Sequence, residues 1–146
     1  MFFGLFFSGS LEPLLAYGTD MPTFKETLDE AQRKNESLKM LQRYPDRLPI
    51  IVEKASTASP HIKDLEKKKY LVPPKLKVGT FIGFVRQRRK CQHGGDVLDQ
   101  DETIFLYVDN TLVAPKTTME ELYRDHKDDD GFLYMVFSTE NTFGCW

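Results

Sequence analysis

Few residues of this chain could do chemistry, and the first candidates are Cys91 and His93. A thiol and an imidazole this close together, followed by acidic residues, suggest either a nucleophile or part of a metal site. A closed zinc site needs four ligands, however, and a catalytic thiol needs side chains that orient it. Because the pair stands in a polar segment with loop composition, we expect no catalytic residue, no metal site and no cofactor.

The acidic segment from Asp128 to Gly131 resembles the beginning of a calcium-binding loop. Such loops end in a glutamate at their twelfth position, whereas Thr139 stands there when the count begins at Asp128. We therefore expect a turn. His61 and His126 have no ligand-like spacing to other residues and are expected to be ordinary surface histidines, so the chain is not predicted to be an enzyme.

Gly144 is the candidate for covalent chemistry near the end of the sequence, where it follows the polar residues 140–142. A carbonyl group that is passed between enzyme thiols must be open to attack, and glycine has no side chain to hinder it. A frayed terminus that contains a glycine would have the same sequence, so the motif alone leaves both interpretations open. Cleavage after Gly94-Gly95 would remove later predicted strands, and these glycines are expected to be only part of a loop.

The composition fits one compact domain, since the 146 residues are 40% hydrophobic and 29% charged. A net charge of −2 gives no general attraction for nucleic acid or anionic membranes. Two cysteines cannot form the disulfide framework of a small secreted domain, which favours a reducing, cytosolic setting. No stretch reaches about 18 consecutive apolar residues, so membrane residence would require a covalent lipid or a partner.

The N-terminal segment differs from the rest because its first twenty residues are apolar and contain no basic residue. Secretory signals normally begin with positive charge, so that interpretation is weak. We expect residues 1–22 to be a flexible extension, or an artificial remnant before a natural start at Met21, although a Phe-rich tip could touch a membrane surface.

The elements that must position these residues alternate between helical and extended patterns. Apolar spacing predicts a helix from Phe24 to Leu41, which Asn35 would bend or divide into two. Strands are predicted at 48–54, 70–72, 103–108 and 132–138, and helices at 78–85, continuing into the basic run 86–90, and at 118–126 after a capping box of Thr117 and Glu120. Cys91 to Glu102 is expected to be a loop. This order predicts an α+β fold with a four-stranded mixed sheet and helices on one face.

Six blocks of sequence are more specific, and they are YPDRLPIIVEK (44–54), DLEKKKYLVP (64–73), KVGTFIGFVRQR (77–88), FLYVDNTL (105–112), LYRDHKDDDGFLY (122–134) and ENTFG (140–144). In this order they resemble the GABARAP-type autophagy-related ubiquitin-like modifier family, from Phe24 to Gly144. The resemblance implies a ubiquitin-like β-grasp fold with two extra N-terminal helices. It also implies a domain at 23–144 and a tail at 145–146 that is removed by processing.

In this family a cysteine protease cuts after the glycine that Gly144 matches. Activating and conjugating thiol enzymes then transfer the glycine to phosphatidylethanolamine. The resemblance therefore implies a cytoplasmic modifier that reaches the autophagosome membrane through its lipid, with no nucleic-acid partner.

The family also binds cargo receptors through an aromatic-x-x-aliphatic motif, which pairs with a sheet edge. The strand from Lys69 to Val72 is short, lysine-flanked and ended by prolines, as protected edges are. By resemblance the aromatic pocket comprises Glu36, Met40, Pro49, Lys69, Leu71 and Phe132. The aliphatic pocket comprises Tyr70, Val72, Pro73, Leu76, Phe81, Phe84 and Val85, and the residues that meet acidic flanks are Arg47 and Lys67. From the pattern alone, Phe81 and Val85 would be ordinary core residues.

Two departures from the family affect these pockets. Met40 and Phe84 stand where related proteins often have isoleucine and leucine, and both residues change pocket shape. The alternative function is a non-conjugated adaptor of the same fold, whose basic N-terminal helices bind cytoskeletal or other protein partners.

Overall fold

A computed structural model of the protein describes residues 22–56, 58, 64–92 and 103–139. Its elements in chain order are α1 (Phe24–Thr27), α2 (Glu30–Arg43), β1 (Leu48–Lys54), β2 (Lys69–Val72), α3 (Val78–Gln92), β3 (Phe105–Val108), β4 (Thr111–Leu112), α4 (Met119–His126) and β5 (Leu133–Ser138). Residues 1–21 of the predicted N-terminal extension, His61, residues 93–102 and the segment that contains Gly144 lie outside the described residues.

The strands form one mixed sheet in the order β2-β1-β5-β3-β4. β1 runs parallel to β5 at the centre of the sheet, and the other neighbouring pairs are antiparallel. The predicted α+β class and mixed sheet are confirmed, but the predicted number of four strands is wrong. The fifth strand, β4, is two residues long, and a strand of this length has no periodicity that a sequence could reveal.

The turn between β3 and β4 explains how so short a strand forms. Asp109 and Asn110 have φ angles of 50° and 63°, the left-handed pair that a two-residue hairpin turn of type I′ requires. Asp and Asn tolerate this conformation better than most residues. The turn therefore brings Thr111 opposite Val108 and Leu112 opposite Tyr107.

Helices cover both faces of the sheet, so the expectation of helices on one face is wrong. Ile50 and Val52 of β1 lie in the main core with residues of α3 and α4, whereas Ile51 lies in a second cluster with Phe24 and Phe132. Successive strand residues point to opposite faces, so β1 supplies side chains to both cores. The N-terminal helices α1 and α2 therefore cover the face opposite α3.

Between Phe24 and Arg43 the chain forms two helices, which confirms one of the two predicted alternatives, but the break between them does not lie at Asn35. Leu28 is extended, and Asp29 begins α2 with a capping box to Gln32, whereas Asn35 lies inside α2. Asp29 gives the second helix a start signal that outweighs any preference of Asn35 for a break.

Two other helix boundaries differ from prediction. The capping box of α4 joins Thr118 and Glu121, one residue after the predicted pair. Both pairs have the required spacing, and the chain uses the second because Thr118 is extended there. The helix α3 continues to Gln92, so Cys91 belongs to this helix and not to the predicted loop.

The turn before β5 is joined to α2 through Asp130. Its buried carboxylate accepts hydrogen bonds from Arg33 Nε at 2.8 Å and from the Phe132 N–H at 2.9 Å, and Tyr134 donates its hydroxyl to the same group. Hydrogen bonding to Asp130 raises the pKa of the Arg33 guanidinium. These contacts fix α2 against the sheet, and α2 carries part of the predicted aromatic pocket.

Candidate peptide-docking site

The strand β2 lies at the edge of the sheet, as predicted, and within the described part of the chain it pairs with β1 alone. Tyr70 stands opposite Ile50, and Lys69 stands opposite Ile51. Residues opposite each other in a sheet share a face, so Tyr70 and Val72 face α3 while Lys69 and Leu71 face α2. The side of β2 that is not paired with β1 is therefore flanked by Tyr70 and Val72 on the α3 face of the sheet and by Lys69 and Leu71 on the α2 face.

The structure brings the six predicted aromatic-pocket residues into one region on the α2 side. Lys69 Nζ lies 2.6 Å from Glu36 Oε2, an ion pair between β2 and α2. Pro49 stands opposite Leu71 in the sheet register. Met40 packs half-buried against the cluster that contains Phe132.

The accessibility of these residues differs. Leu71 is half-buried, whereas Phe132 is fully buried. Leu71 is therefore part of the accessible surface of this region, while Phe132 supports it from beneath.

The aliphatic-pocket residues lie on the α3 side, around three rings that we call the aromatic triad, Tyr70, Phe81 and Phe84. The Phe81 and Phe84 rings are stacked, with centroids 6.0 Å apart and an interplanar angle of 19°. Tyr70 meets Phe84 edge-on at 5.6 Å and 88°. Burial raises the pKa of the Tyr70 hydroxyl, although Arg88 opposes this shift.

The members of this predicted pocket differ widely in exposure. Tyr70, Val72, Phe81 and Val85 belong to the main core, so the interpretation of Phe81 and Val85 as core residues is confirmed. Phe84 is 44% exposed, Leu76 is partly buried, and Pro73 is exposed. Phe84, Leu76 and Pro73 therefore form the accessible surface on this side, and the four core residues lie beneath them.

Two cations lie over the aromatic triad. Lys67 Nζ is 5.8 Å from the centroid of the Tyr70 ring, and the Arg88 guanidinium is 5.9 Å from the centroid of the Phe84 ring. Lys67 was predicted to flank the site, but Arg88 was not. Its signal in the sequence was its position four residues after Phe84, which places both on one face of a helix. Arg47 is exposed in the turn between α2 and β1.

The other candidate sites have less structural support. His93 and Gly144 lie outside the described residues, so the Cys91–His93 pair and the terminal glycine remain predictions. His126 Nδ1 lies 2.7 Å from Asp109 Oδ2, an ordinary surface contact. Over 22–56, 58, 64–92 and 103–139, no group of three or more His, Cys, Asp or Glu side chains could hold a metal ion. In the same ranges, no helix is long and apolar enough to cross a membrane.

Solved structures define the class to which this fold belongs. The Trypanosoma brucei ATG8 crystal structure matches with a TM-score of 0.71 and 34% identity, covering 82% of this chain and 95% of that chain. Plasmodium falciparum Atg8, solved in complex with a Plasmodium falciparum Atg3 peptide, matches with a TM-score of 0.70 and 34% identity, covering 82% and 98%. The predicted ubiquitin-like fold with added N-terminal helices is therefore confirmed.

Sequence comparison gives the family. The family model described as "Autophagy protein Atg8 ubiquitin like" matches residues 32–144. Autophagy-related protein 8a of Arabidopsis thaliana is 45% identical over 122 residues, which cover 84% of this chain and 93% of that protein. Autophagy-related protein 8 of Mycosarcoma maydis is 44% identical over 121 residues, covering 83% and 95%. The chain belongs to the Atg8 family of autophagy-related ubiquitin-like proteins.

Proposed function

We propose that this protein is a modifier that is cut after Gly144 and conjugated through that residue to phosphatidylethanolamine on autophagosome membranes. The observation that carries this proposal is the family match over residues 32–144, which includes Gly144 at its end. The protein does not catalyse this chemistry but is the substrate of a cysteine protease and of thiol enzymes that activate and conjugate it.

The chemistry requires an accessible carbonyl group at Gly144. Hydrolysis of the peptide bond to Cys145 frees the Gly144 carboxylate, and the activating enzyme joins it to the phosphate of a nucleoside triphosphate as a mixed anhydride. An enzyme thiol then displaces the nucleotide and holds the glycine as a thioester. The amine of phosphatidylethanolamine then attacks the thioester, forming an amide and releasing the thiol. A side chain at this position would obstruct attack at each step, whereas glycine leaves the carbonyl open.

The lipid supplies the membrane attachment. Each acyl methylene group that enters the bilayer contributes about 0.8 kcal/mol, and two chains hold a peripheral protein firmly. We therefore assign the protein to the cytoplasm before conjugation and to the autophagosome membrane after it.

We further propose that the edge of β2 and its two flanking regions recruit cargo receptors with an aromatic-x-x-aliphatic motif. An extended peptide would pair with the outer side of β2 and direct alternate side chains towards Leu71 and towards the aromatic triad. The Plasmodium falciparum relative has been solved with an Atg3 peptide, which supports peptide binding as a property of this fold.

Intact-mass analysis of the protein from starved cells tests the conjugation proposal. The wild type should lose Cys145 and Trp146 and then gain the mass of phosphatidylethanolamine. Gly144→Ala should not gain the lipid, whereas Gly83→Ala should behave like the wild type, because it lies at an exposed helical position where the added Cβ would meet no atom beyond its own stretch of helix within 4 Å. A full-length mass that persists under starvation would reject conjugation and favour the non-conjugated adaptor.

Titration with an aromatic-x-x-aliphatic peptide tests the docking proposal. Leu71→Ala should weaken binding by about tenfold, because a central apolar anchor in an interface typically contributes more than 1 kcal/mol. Leu38→Ala on α2 removes a side chain of the same size that is 55% exposed and provides the control. Equal affinity of both variants for the peptide would refute the site.

A further inference from the structure

The aromatic triad gives this chain a feature that the proposed docking motif does not explain. Tyr70 and Phe81 are 6% and 1% exposed, whereas Phe84 is 44% exposed. The buried ring of Phe81 lies directly against Phe84 in the stacked arrangement described above. The accessible part of this pocket therefore contains one exposed aromatic side chain on an aromatic support, beside Leu76 and Pro73.

The triad lies where an added strand would direct a side chain. Tyr70 belongs to the edge strand β2 and faces α3, and Phe84 contacts its ring from that helix. Alternate residues of a peptide paired with β2 point to this same face. One peptide side chain would thus meet Phe84, while the side chains on either side of it in sequence would point towards α2.

The electrostatic surroundings favour a negatively charged neighbour for that side chain. Lys67 and Arg88 are both exposed and lie over two rings of the triad. The one acidic group that acts on Tyr70 from the segment before β2, the carboxylate of Asp64, is paired with Lys68 at 3.4 Å, which offsets its negative charge. Cations held at the rim of a pocket attract acidic residues and affect association more than they affect final affinity.

We propose that Phe84 makes this pocket selective for an aromatic side chain, so that the preferred partner is an aromatic-x-x-aromatic peptide with an acidic residue beside its second anchor. This inference rests on the docking proposed above. A flat ring can stack on or meet the exposed Phe84 ring edge-on, and an aliphatic side chain cannot make this interaction. Aromatic pairs gain free energy beyond their buried area, which corresponds to a preference of about 2- to 10-fold.

Calorimetric titration of the full chain with two peptides tests this inference. Both peptides have tryptophan at the first anchor and the same acidic flanks, and they differ only in leucine or phenylalanine at the second anchor. The wild type should bind the phenylalanine peptide about 2- to 10-fold more tightly. Phe84→Leu should remove or reverse this preference, and Phe84→Tyr, which keeps a ring, should retain it.

Arg88→Gln separates charge from ring recognition. It should weaken the binding of both peptides to a similar extent and reduce the salt dependence of their association. The preference for the phenylalanine peptide should be retained. Circular dichroism of each variant verifies that the fold is intact, as expected for substitutions at exposed positions.

Two results would overturn the inference while leaving the docking proposal in place. One is tighter or equal binding of the leucine peptide by the wild type, and the other is an unchanged preference in Phe84→Leu. If the wild type binds neither peptide, docking at β2 itself is wrong, and the selectivity falls with it.

Discussion

The Nε atom of Arg33 lies 2.8 Å from the Oδ2 atom of Asp130, and this ion pair joins α2 to the turn that precedes β5. The two residues are 97 positions apart in the sequence. Ser37 of the same helix donates a hydrogen bond to the Asp130 carbonyl oxygen. The turn is thereby held close to α2, with little space between them.

Gly131 tests how closely these elements are packed. Its φ angle is +92°, and a Cβ atom placed on it would lie 2.4 Å from Ser37 Oγ. Gly131→Ala should lower the free energy of unfolding by about 1–3 kcal/mol, because it combines a left-handed backbone with a steric clash. Urea denaturation measures this change.

The control for this prediction is Gly83→Ala in α3. Gly83 is exposed, and an added Cβ would meet no atom beyond its own stretch of helix within 4 Å. Alanine should stabilise this helix by about 0.5–1 kcal/mol. If both substitutions changed the free energy of unfolding in the same direction, the predicted clash between residue 131 and Ser37 would be refuted.

Phe24 tests the attachment of the N-terminal helices to the sheet. It is 9% exposed, and its ring meets Phe132 edge-on with centroids 5.3 Å apart. Phe24→Ala should cost about 3–5 kcal/mol as a cavity forms beside Phe132. The exposed Leu38→Ala should change stability by less than about 0.5 kcal/mol.

Hydrogen exchange identifies which elements lose stability in Phe24→Ala. Protection should fall first in α1 and α2, because the second cluster is the apolar contact between these helices and the sheet. Unchanged protection in both helices would show that other contacts hold them.

The hairpin between β3 and β4 gives a third prediction. Asn110→Val should cost about 1–2 kcal/mol, because a β-branched residue resists the left-handed region that Asn110 occupies. Asn110→Gly should change the free energy of unfolding by less than about 0.5 kcal/mol, since glycine accepts this conformation readily. Chemical denaturation of the pair measures the difference, and equal stability would contradict the assigned turn.

Three tyrosines predict loss of stability at high pH. Burial raises the pKa of Tyr70, Tyr123 and Tyr134, and the hydrogen bond to Asp130 raises that of Tyr134 further. A group whose pKa is higher in the folded than in the unfolded state contributes stability below the unfolded pKa and loses it as pH rises towards the folded value. The free energy of unfolding should therefore fall above pH about 10, the ordinary pKa of tyrosine.

Tyr134→Phe isolates one of these groups. The variant should lose some stability at neutral pH with its hydrogen bond, but its stability should fall less steeply with pH above about 10. Denaturation at several pH values compares the two slopes. A variant slope as steep as that of the wild type would exclude Tyr134 as a contributor.

Asp128 affects the stability of the fold at low pH. Burial raises the pKa of its carboxyl group, but hydrogen bonds from Lys25 and from the Asp130 N–H outweigh burial, so the net pKa lies below the ordinary value. This group contributes stability above its unfolded pKa and loses it as pH falls through the lower folded value. Lys25→Met should therefore reduce the acid sensitivity of folding, and an identical acid transition would refute the contribution of the pair.

The sequence predicted most elements because their local signals were strong. The buried strand β1 and the lysine-flanked, proline-ended β2 both have recognisable patterns, and β2 lies at the predicted edge. The capping box was displaced by one residue because Thr117-Thr118 and Glu120-Glu121 offer overlapping pairs with the same spacing. Only the backbone conformation decides between them.

Contacts between distant residues could not be predicted in the same way. The pairing of Arg33 with Asp130 and the burial of Phe24 against Phe132 depend on how the helices pack, for which no local pattern exists. The pocket residues came from family resemblance, which gives positions but not surroundings. The resemblance therefore did not indicate that Arg88 lies over Phe84.

Because β1 supplies side chains to both cores, it restricts where this protein can gain or lose residues in evolution. Ile50 and Val52 fill one core while Ile51 fills the other, so one inserted residue would exchange the sides of every later side chain in the strand. Neither core could compensate, because each would receive the residues suited to the other. Length changes should therefore fall outside this strand, and homologues should keep the spacing from Leu48 to Lys54 constant.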